Sequence, residues 1–258
     1  MFTERDLSPA VAAVREDDVL VLDCDRDFET LPPAEAEDLA LLVDDLEPFG
    51  APAEWLPADA PELLREYAGP EFTVGMPGDG SVAWTTQTDP PVVVCKPRLD
   101  ESPEAFADFL VAEAIVQATL GEPEHFLGFF EDQYPGFDTA LGLSPVDTYQ
   151  VAAACYDAYL GLATRDIFAD WEGGATDPLF AAWVDAGDRL TGRIEGLPEA
   201  VARGRTGFAD AAELACSGIK HAVEVPPPFD ALDAGVYREH GAAYAVRWAE
   251  KTAEAIDG

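Results

Sequence analysis

Glu113 has the strongest catalytic potential in this chain, because it is a lone carboxylate inside a strongly apolar segment. Residues 102–121 hold no other ionisable side chain after Asp108. A carboxylate among large apolar side chains must be paired, protonated or open to a cleft, because an isolated buried charge is costly. A raised pKa would suit a general acid or base. The competing interpretation is a structural hydrogen bond to Gln117 or to a neighbouring tyrosine.

The segment around Glu113 is predicted to be a helix of about five turns. Ser102 suits the N-cap, Pro103 suits the first helical position, and Gly121 is a stop signal. At 3.6 residues per turn, one face of this helix carries Phe106, Leu110, Glu113 and Gln117. The helix therefore directs Glu113 among apolar side chains.

Other side chains are candidates for a site around this carboxylate. If Glu113 is ionised in the core, we expect Arg98 or Arg165 to form an ion pair with it. The candidate ligand-binding residues are Gln117, Tyr134, Tyr149 and Asp157.

The order of elements before Glu113 resembles that of small zincin-like metallopeptidases. A predicted hairpin and an edge-like strand at residues 92–96 lead into an apolar helix with a central Glu. In that family the helix carries His-Glu-x-x-His, with both His on zinc and the Glu polarising the attacking water. Here Ala112 and Val116 occupy the ligand positions, so the resemblance, over residues 70–165, implies a zincin-like core without a metal, a cofactor or catalysis. In that comparison a later helix supplies the third ligand, and Asp157 is the acid available there.

Asp23 and Asp25 offer a different chemistry. They lie at the end of residues 18–24, which are predicted to form a buried strand. This placement resembles the haloacid-dehalogenase-like phosphatases, in which the first Asp is the nucleophile and the second the acid/base. Such an enzyme also needs a downstream lysine, and Lys96 and Lys220 are the only lysines before the last predicted helix. The alternative is a solvated acidic surface at the end of a strand.

The charge balance of the chain is extreme. It carries 51 acidic against 15 basic residues, for a net charge of −36. Acidity spread along the chain repels itself and destabilises the compact state in dilute buffer, as halophilic proteins exploit. The composition resembles that of haloarchaeal cytosolic proteins. We expect salt ions to solvate this surface, and we expect no nucleic acid or membrane partner because no basic patch is present.

The hydrophobic pattern predicts an α+β protein. A small, mostly antiparallel sheet is expected in residues 1–100, followed by a mainly helical bundle in residues 101–258 that packs on it as a single domain. Apolar residues make up 48% of the chain, which is ample for a core. No secretion signal or membrane-spanning run is visible, so we expect a cytoplasmic protein. The four widely spaced cysteines are expected to be buried free thiols.

These features together favour a non-catalytic protein that acts by binding or interaction. Two alternatives from another class remain open. One is a hydrolase that uses Glu113, and the other is a phosphatase that uses Asp23 and Asp25.

The first prediction concerns salt. Raising KCl from about 0.1 M to about 1 M shortens the Debye length from about 10 Å to about 3 Å. We therefore expect the free energy of unfolding, measured by urea denaturation, to rise because repulsion among the carboxylates is screened. Sucrose, which carries no charge, is the control for general solvent exclusion. A stability that stays constant or falls with KCl would contradict the halophilic interpretation.

Overall fold

The structure is a computed structural model, and it describes residues 2–15, 19–28, 31, 33–69, 72–74 and 80–257. Within those ranges the chain is α+β, as predicted. All described strands lie before residue 96, and the described elements after it are helical. The strands are β1 (Phe2–Glu4), β2 (Leu20–Cys24), β3 (Asp45–Leu46), β4 (Val82–Thr85), β5 (Thr88–Asp89) and β6 (Val92–Cys95).

Helices begin between the strands and occupy the later part of the chain. Short 3₁₀ turns connect several of them, and one at Pro97–Glu101 links β6 to the apolar helix of Glu113. The α-helices are α1 (Pro9–Val14), α2 (Pro33–Ala40), α3 (Glu62–Tyr67), α4 (Glu104–Thr119), α5 (Phe126–Phe130), α6 (Tyr134–Leu141), α7 (Pro145–Ala169), α8 (Asp177–Glu195), α9 (Leu197–Ala202), α10 (Phe208–Lys220) and α11 (Gly235–Asp257).

The main sheet has the strand order β1-β2-β6-β4. Its two outer pairings are antiparallel, and the central pairing of β2 with β6 is parallel, with Asp23 opposite Cys95. A second sheet pairs β3 with β5. The prediction of a mostly antiparallel sheet is therefore confirmed, but strand 92–96 is internal to the sheet and not edge-like as predicted.

Apolar side chains cover both faces of the main sheet. On one face, Leu22 and Val94 join a buried cluster that includes Leu39 of α2. Because side chains alternate along a strand, Val21 and Val93 point to the opposite face. Helix α4 packs against β4 and β6, and α1 packs against α4. A parallel strand pair covered on both faces explains the continuous apolar runs of β2 and β6.

The chain divides into two compact units, each built from separated segments. Unit 1 comprises Met1–Ala51, Leu63–His125 and Phe168–Trp183, and it contains both sheets with α1, α2 and α4. Unit 2 comprises Pro52–Glu62, Phe126–Ile167 and Val184–Gly258, and it is helical. The single-domain organisation over residues 1–258 stays a prediction.

Several predicted element boundaries hold and others do not. Helix α4 ends as predicted before Gly121, whose φ of +71° is the left-handed conformation that favours glycine. The helix begins at Glu104, after Pro103 at the N-cap, and not after Ser102 as predicted. The apolar spacing of residues 34–46 predicts a helix that ends at Leu46. Helix α2 ends six residues earlier, at Ala40, because residues 45–46 pair with β5.

The predicted hairpin before β4 falls mainly outside the described residues. The sequence predicts this hairpin from strands at 71–76 and 82–86 with a turn between them. Of its first strand, residues 72–74 are described and are not in a strand. The predicted turn at 77–80 lies outside them except for its last residue. Strand β4 pairs instead with β6.

The cysteines and lysines are mostly withdrawn from the surface. All four cysteines are free thiols; Cys24 is partly exposed, and the other three are buried. Lys96 is only 2% exposed. Lys220 is half-buried, whereas Lys251 is exposed. No described helix combines the length and apolarity needed to cross a membrane.

Helices α7 and α10 approach closely in unit 2 at Gly161. A Cβ atom added to this glycine would lie 2.8 Å from both Cα and Cβ of Lys220. The closest obstacle includes backbone, which cannot rotate away as the end of a side chain can. The helix packing therefore depends on the missing side chain.

We predict that Gly161→Ala lowers the free energy of unfolding by about 1–3 kcal/mol, because the added methyl group forces the two helices apart. Gly192→Ala in α8 is the matched control, since nothing lies within 4 Å of its added Cβ. That control should raise stability by about 0.5–1 kcal/mol through helix propensity. Urea denaturation of the three proteins in the same KCl buffer checks both signs. Equal effects of the two substitutions would refute the close-packing argument.

Candidate functional site

Glu113 lies in the completely buried part of α4. Its side chain is 6% exposed, and Gln117, one turn later, is 8% exposed. Every residue from 111 to 118 is buried, so this stretch has no solvent-facing side. The sequence predicts that Glu113 shares one helix face with Phe106 and Leu110. Those two residues are only half-buried, so this face is not buried along its whole length. Glu113 is therefore a core carboxylate and does not project into an open cleft.

The positions equivalent to zinc ligands are apolar and buried, as the sequence indicates. Ala112 is fully buried, and Val116 is nearly so. Across the part of the chain that the structure describes, no three His, Cys, Asp or Glu side chains form a group that could hold a metal ion. The internal position of β6 also differs from the layout on which the zincin resemblance is based. That resemblance stays a hypothesis.

The two arginines considered as partners of Glu113 have other ion pairs. Arg98 lies 3.3 Å from Asp27 and also donates to the backbone oxygen of Gly80. Arg165 pairs with Asp233 at 2.5 Å, within unit 2. Each arginine therefore has one carboxylate partner, and an ion pair with Glu113 stays a prediction.

Asp23 is bound to Arg5, which follows the neighbouring strand β1. Because side chains alternate along a strand, Asp23 and Cys95 share one face of the sheet, and Cys24 and Lys96 share the other. The Lys96 ammonium lies 5.0 Å from the centre of the Phe28 ring. The required lysine is therefore close in register to the proposed nucleophile but on the opposite face.

Asp25 lies just beyond the end of β2 and is exposed, 3.9 Å from the guanidinium of Arg26. Arg26 also contacts Glu35 at 2.9 Å. This arrangement resembles a solvated surface network more than an enclosed acid/base pair. A phosphatase site would need Asp23 to leave Arg5.

A polar cluster that the sequence analysis missed surrounds Glu124. Its carboxylate accepts hydrogen bonds from the Thr85 hydroxyl at 2.7 Å, the Thr86 amide at 2.8 Å and the Gln87 side-chain amide at 2.5 Å. Gln87 is fixed in turn, because it donates to the Thr73 carbonyl and accepts from the Phe49 amide. Burial raises the pKa of Glu124 to about 7, although these hydrogen bonds oppose that shift.

His125, next to Glu124, is buried, with 5% of its side chain exposed. Its ring stacks on Tyr67 with centroids 5.6 Å apart. Burial lowers the pKa of His125 to about 3, so the imidazole is neutral at physiological pH. This histidine is part of the core of unit 1.

The remaining predicted binding residues lie in unit 2. Tyr134 and Tyr149 both pack on Phe126, each with ring centroids 5.3 Å from it. Tyr134 is buried, and desolvation raises the pKa of its hydroxyl. These two tyrosines therefore belong to an aromatic core. Gln117, also predicted to bind a ligand, lies in unit 1 and therefore in a different unit from the two tyrosines.

Asp157, the last predicted binding residue, lies on α7. Its carboxylate is 3.7 Å from the Lys220 ammonium, beside the close approach at Gly161. Both side chains are partly exposed. Asp157 thus has a structural ion-pair partner between α7 and α10.

A cavity of about 310 Å³ lies in unit 1, where the chain between β1 and α1 faces the first half of α4, and Glu113 does not line it. We call it the α1–α4 cavity. Ser8 caps α1, because its hydroxyl accepts a hydrogen bond from the Val11 amide at 3.3 Å, as its Ser-Pro signal predicts. The lining residues are Arg5, Asp6, Leu7, Ser8, Val11, Glu104, Asp108 and Val111.

The sequence alone does not reveal this cavity. Its residues come from two segments about 100 residues apart in the chain, and no motif marks them. The cavity volume lies at the lower end of the range of small-molecule sites. Its mixed wall of charged and apolar side chains can hold a small ligand without any catalytic group.

We predict that the Glu124 cluster makes stability depend on pH. The raised pKa means that the folded state holds its proton more tightly than the unfolded state. Stability contributed by that proton is present below pH 4.5 and is lost as the pH rises to about 7. Relative to Glu124→Gln, which does not titrate, the unmutated protein should lose at most about 3 kcal/mol over that range.

Urea denaturation at several pH values measures this difference. Glu172→Gln, an exposed residue of the same unit, is the control and should give a nearly constant difference. A difference that grows in the opposite direction would mean that the hydrogen bonds outweigh burial and that Glu124 stays ionised.

Comparisons with known proteins provide a family. No curated protein matches the chain, and no solved structure matches it. A family described as of unknown function (DUF7089) matches residues 1–256, and the chain therefore belongs to that family.

Proposed function

We propose that this chain is a halophilic, non-catalytic binding protein of the cytoplasm, and that the α1–α4 cavity is its ligand site. The observation that carries the proposal is a separation between the strongest catalytic candidate and the accessible cavity. Glu113 is 6% exposed within a fully buried stretch of α4. The cavity, by contrast, includes the exposed residues Asp6 and Glu104.

A general acid or base must come within hydrogen-bond reach of a substrate proton. Glu113 would need α4 to move for that contact, whereas a ligand can enter the cavity without such a change. The net charge of −36 supports the halophilic part of the proposal. The absence of a basic patch from the sequence argues against a nucleic acid as the partner.

The alternatives need rearrangements that the binding function does not. A hydrolase that uses Glu113 requires water at the core face of α4. A phosphatase that uses Asp23 and Asp25 requires the ion pair of Asp23 with Arg5 to open. The zincin-like core remains compatible with a binding protein, because its ligand positions, Ala112 and Val116, cannot bind zinc.

We predict that blocking the cavity abolishes ligand binding. The probes are n-butylamine, n-butanol and butyrate, which share a four-carbon body and differ in charge. At least one should raise the thermal unfolding temperature at millimolar concentration, because binding to the folded state alone stabilises it. In Leu7→Trp, the half-buried wall residue is enlarged, and the shift should disappear.

Two control variants locate the effect. Val201→Trp adds the same ring at a partly exposed position on α9, outside the cavity. Glu113→Gln removes the buried carboxylate and leaves the cavity wall intact. Both should keep the response of the unmutated protein. The proposed function fails if none of the probes acts, or if the response survives Leu7→Trp and is lost in Glu113→Gln.

A further inference from the structure

We propose that the α1–α4 cavity selects a small organic ammonium ion, that is, an amine with a short apolar body. This inference rests on the proposed binding function and assigns the chemical class of the ligand. It follows from the charges of the wall, from the spacing of its carboxylates and from its apolar part.

The charged groups of the wall favour a cation. Three carboxylates, from Asp6, Glu104 and Asp108, line the cavity together with one guanidinium, from Arg5. Arg5 is already neutralised by Asp23, which is not part of the wall. The positive end of the α4 dipole lies near Glu104, and this carboxylate in the first turn offsets it. The balance of charge in the cavity is therefore negative.

The spacing of these carboxylates favours an organic cation over a metal ion. Calcium and magnesium need oxygen ligands that converge on one point at about 2.0–2.6 Å. Among the described residues, no three carboxylates, thiols or imidazoles converge in this way, and those of the cavity are no exception. An ammonium ion needs no such convergence, because its three N–H donors can each reach a separate acceptor.

The apolar wall gives the ligand a body as well as a charge. Val11 and Val111 are almost completely buried, and Leu7 is half-buried beside them. An alkyl chain placed against this wall gains about 25 cal/mol for each Å² of apolar surface removed from water. The gain comes from the chain's own surface and from Leu7, because the two valines have little surface left to cover. A hydrated inorganic cation gains nothing from this wall. The combination of acidic and apolar groups therefore matches an alkylammonium ion.

The test is binding of the three butyl probes by isothermal titration calorimetry to the full chain. We expect n-butylamine to bind with a Kd of about 1 mM, which lies well within the limit for a ligand of so few atoms. Neither n-butanol nor butyrate should bind. The affinity for n-butylamine should fall as KCl is raised within the range in which the protein stays folded, because salt screens the carboxylates.

Neutralising the wall separates this inference from non-specific attraction to an acidic protein. Asp108→Asn should weaken n-butylamine binding roughly fivefold, because that factor corresponds to the loss of one partly screened ion pair. Glu172→Gln removes the same charge from an exposed position of the same unit and should leave the affinity unchanged. Circular dichroism verifies that both variants are folded.

The possible failures are distinct. If butyrate or n-butanol binds in the cavity and n-butylamine does not, the ligand class is wrong and the binding function stands. If Glu172→Gln weakens binding as much as Asp108→Asn, the attraction is that of the whole surface and the inference is overturned. If CaCl₂ stabilises the protein through Asp108 and the amine does not, the site is inorganic. If no probe binds and Leu7→Trp changes nothing, both the inference and the proposed function fail.

Discussion

The parallel pairing of β2 with β6 is the constraint on which unit 1 depends. Two parallel neighbours cannot be joined by a tight turn, so the chain between them must cross over and return. Here that crossover includes α2, α3 and β3 to β5. A parallel pair is also stable only when both of its faces are covered. The cluster around Leu39 covers one face, and α4 packs on the other.

The burial of Glu113 follows from this arrangement. The helix that follows β6 must cover the sheet and is itself covered, so residues 111–118 contact protein on all sides. A carboxylate in such a helix costs stability unless it is neutral or well partnered. The accessible chemistry of unit 1 is consequently found at the start of α4, where Glu104 is exposed and Asp108 is half-buried.

The sequence predicted those features that local rules control. The cap at Ser8 and the stop at Gly121 each depend on a few neighbouring residues, and both are found in the structure. The apolar runs of β2 and β6 likewise indicated strands. What the sequence could not supply was the partner of each strand, because pairing joins residues that are distant in the chain.

The candidate site was predictable to a smaller extent for the same reason. In the sequence, nothing distinguishes Glu124 from the other acidic residues. Its hydrogen-bond partners Thr85 and Gln87 lie nearly 40 residues earlier, and only the fold brings them together. The environment of His125 likewise depends on Tyr67, which lies nearly 60 residues earlier in the chain and stacks on its ring. The cavity needs residues 5–11 and 104–111 together. Composition identified a carboxylate in an apolar helix, but only the fold distinguishes a sealed carboxylate from an accessible one.

The distribution of lysines has a practical consequence for chemical labelling. Of the three lysine side chains, Lys96 is buried beneath Phe28, and Lys220 is half-buried and paired with Asp157. Lys251 is the exposed one. An amine-reactive dye at limiting concentration will therefore label the lysines of the folded chain mainly at one position on α11. Lysine-directed labelling of the folded chain therefore concentrates on α11 without any engineered residue.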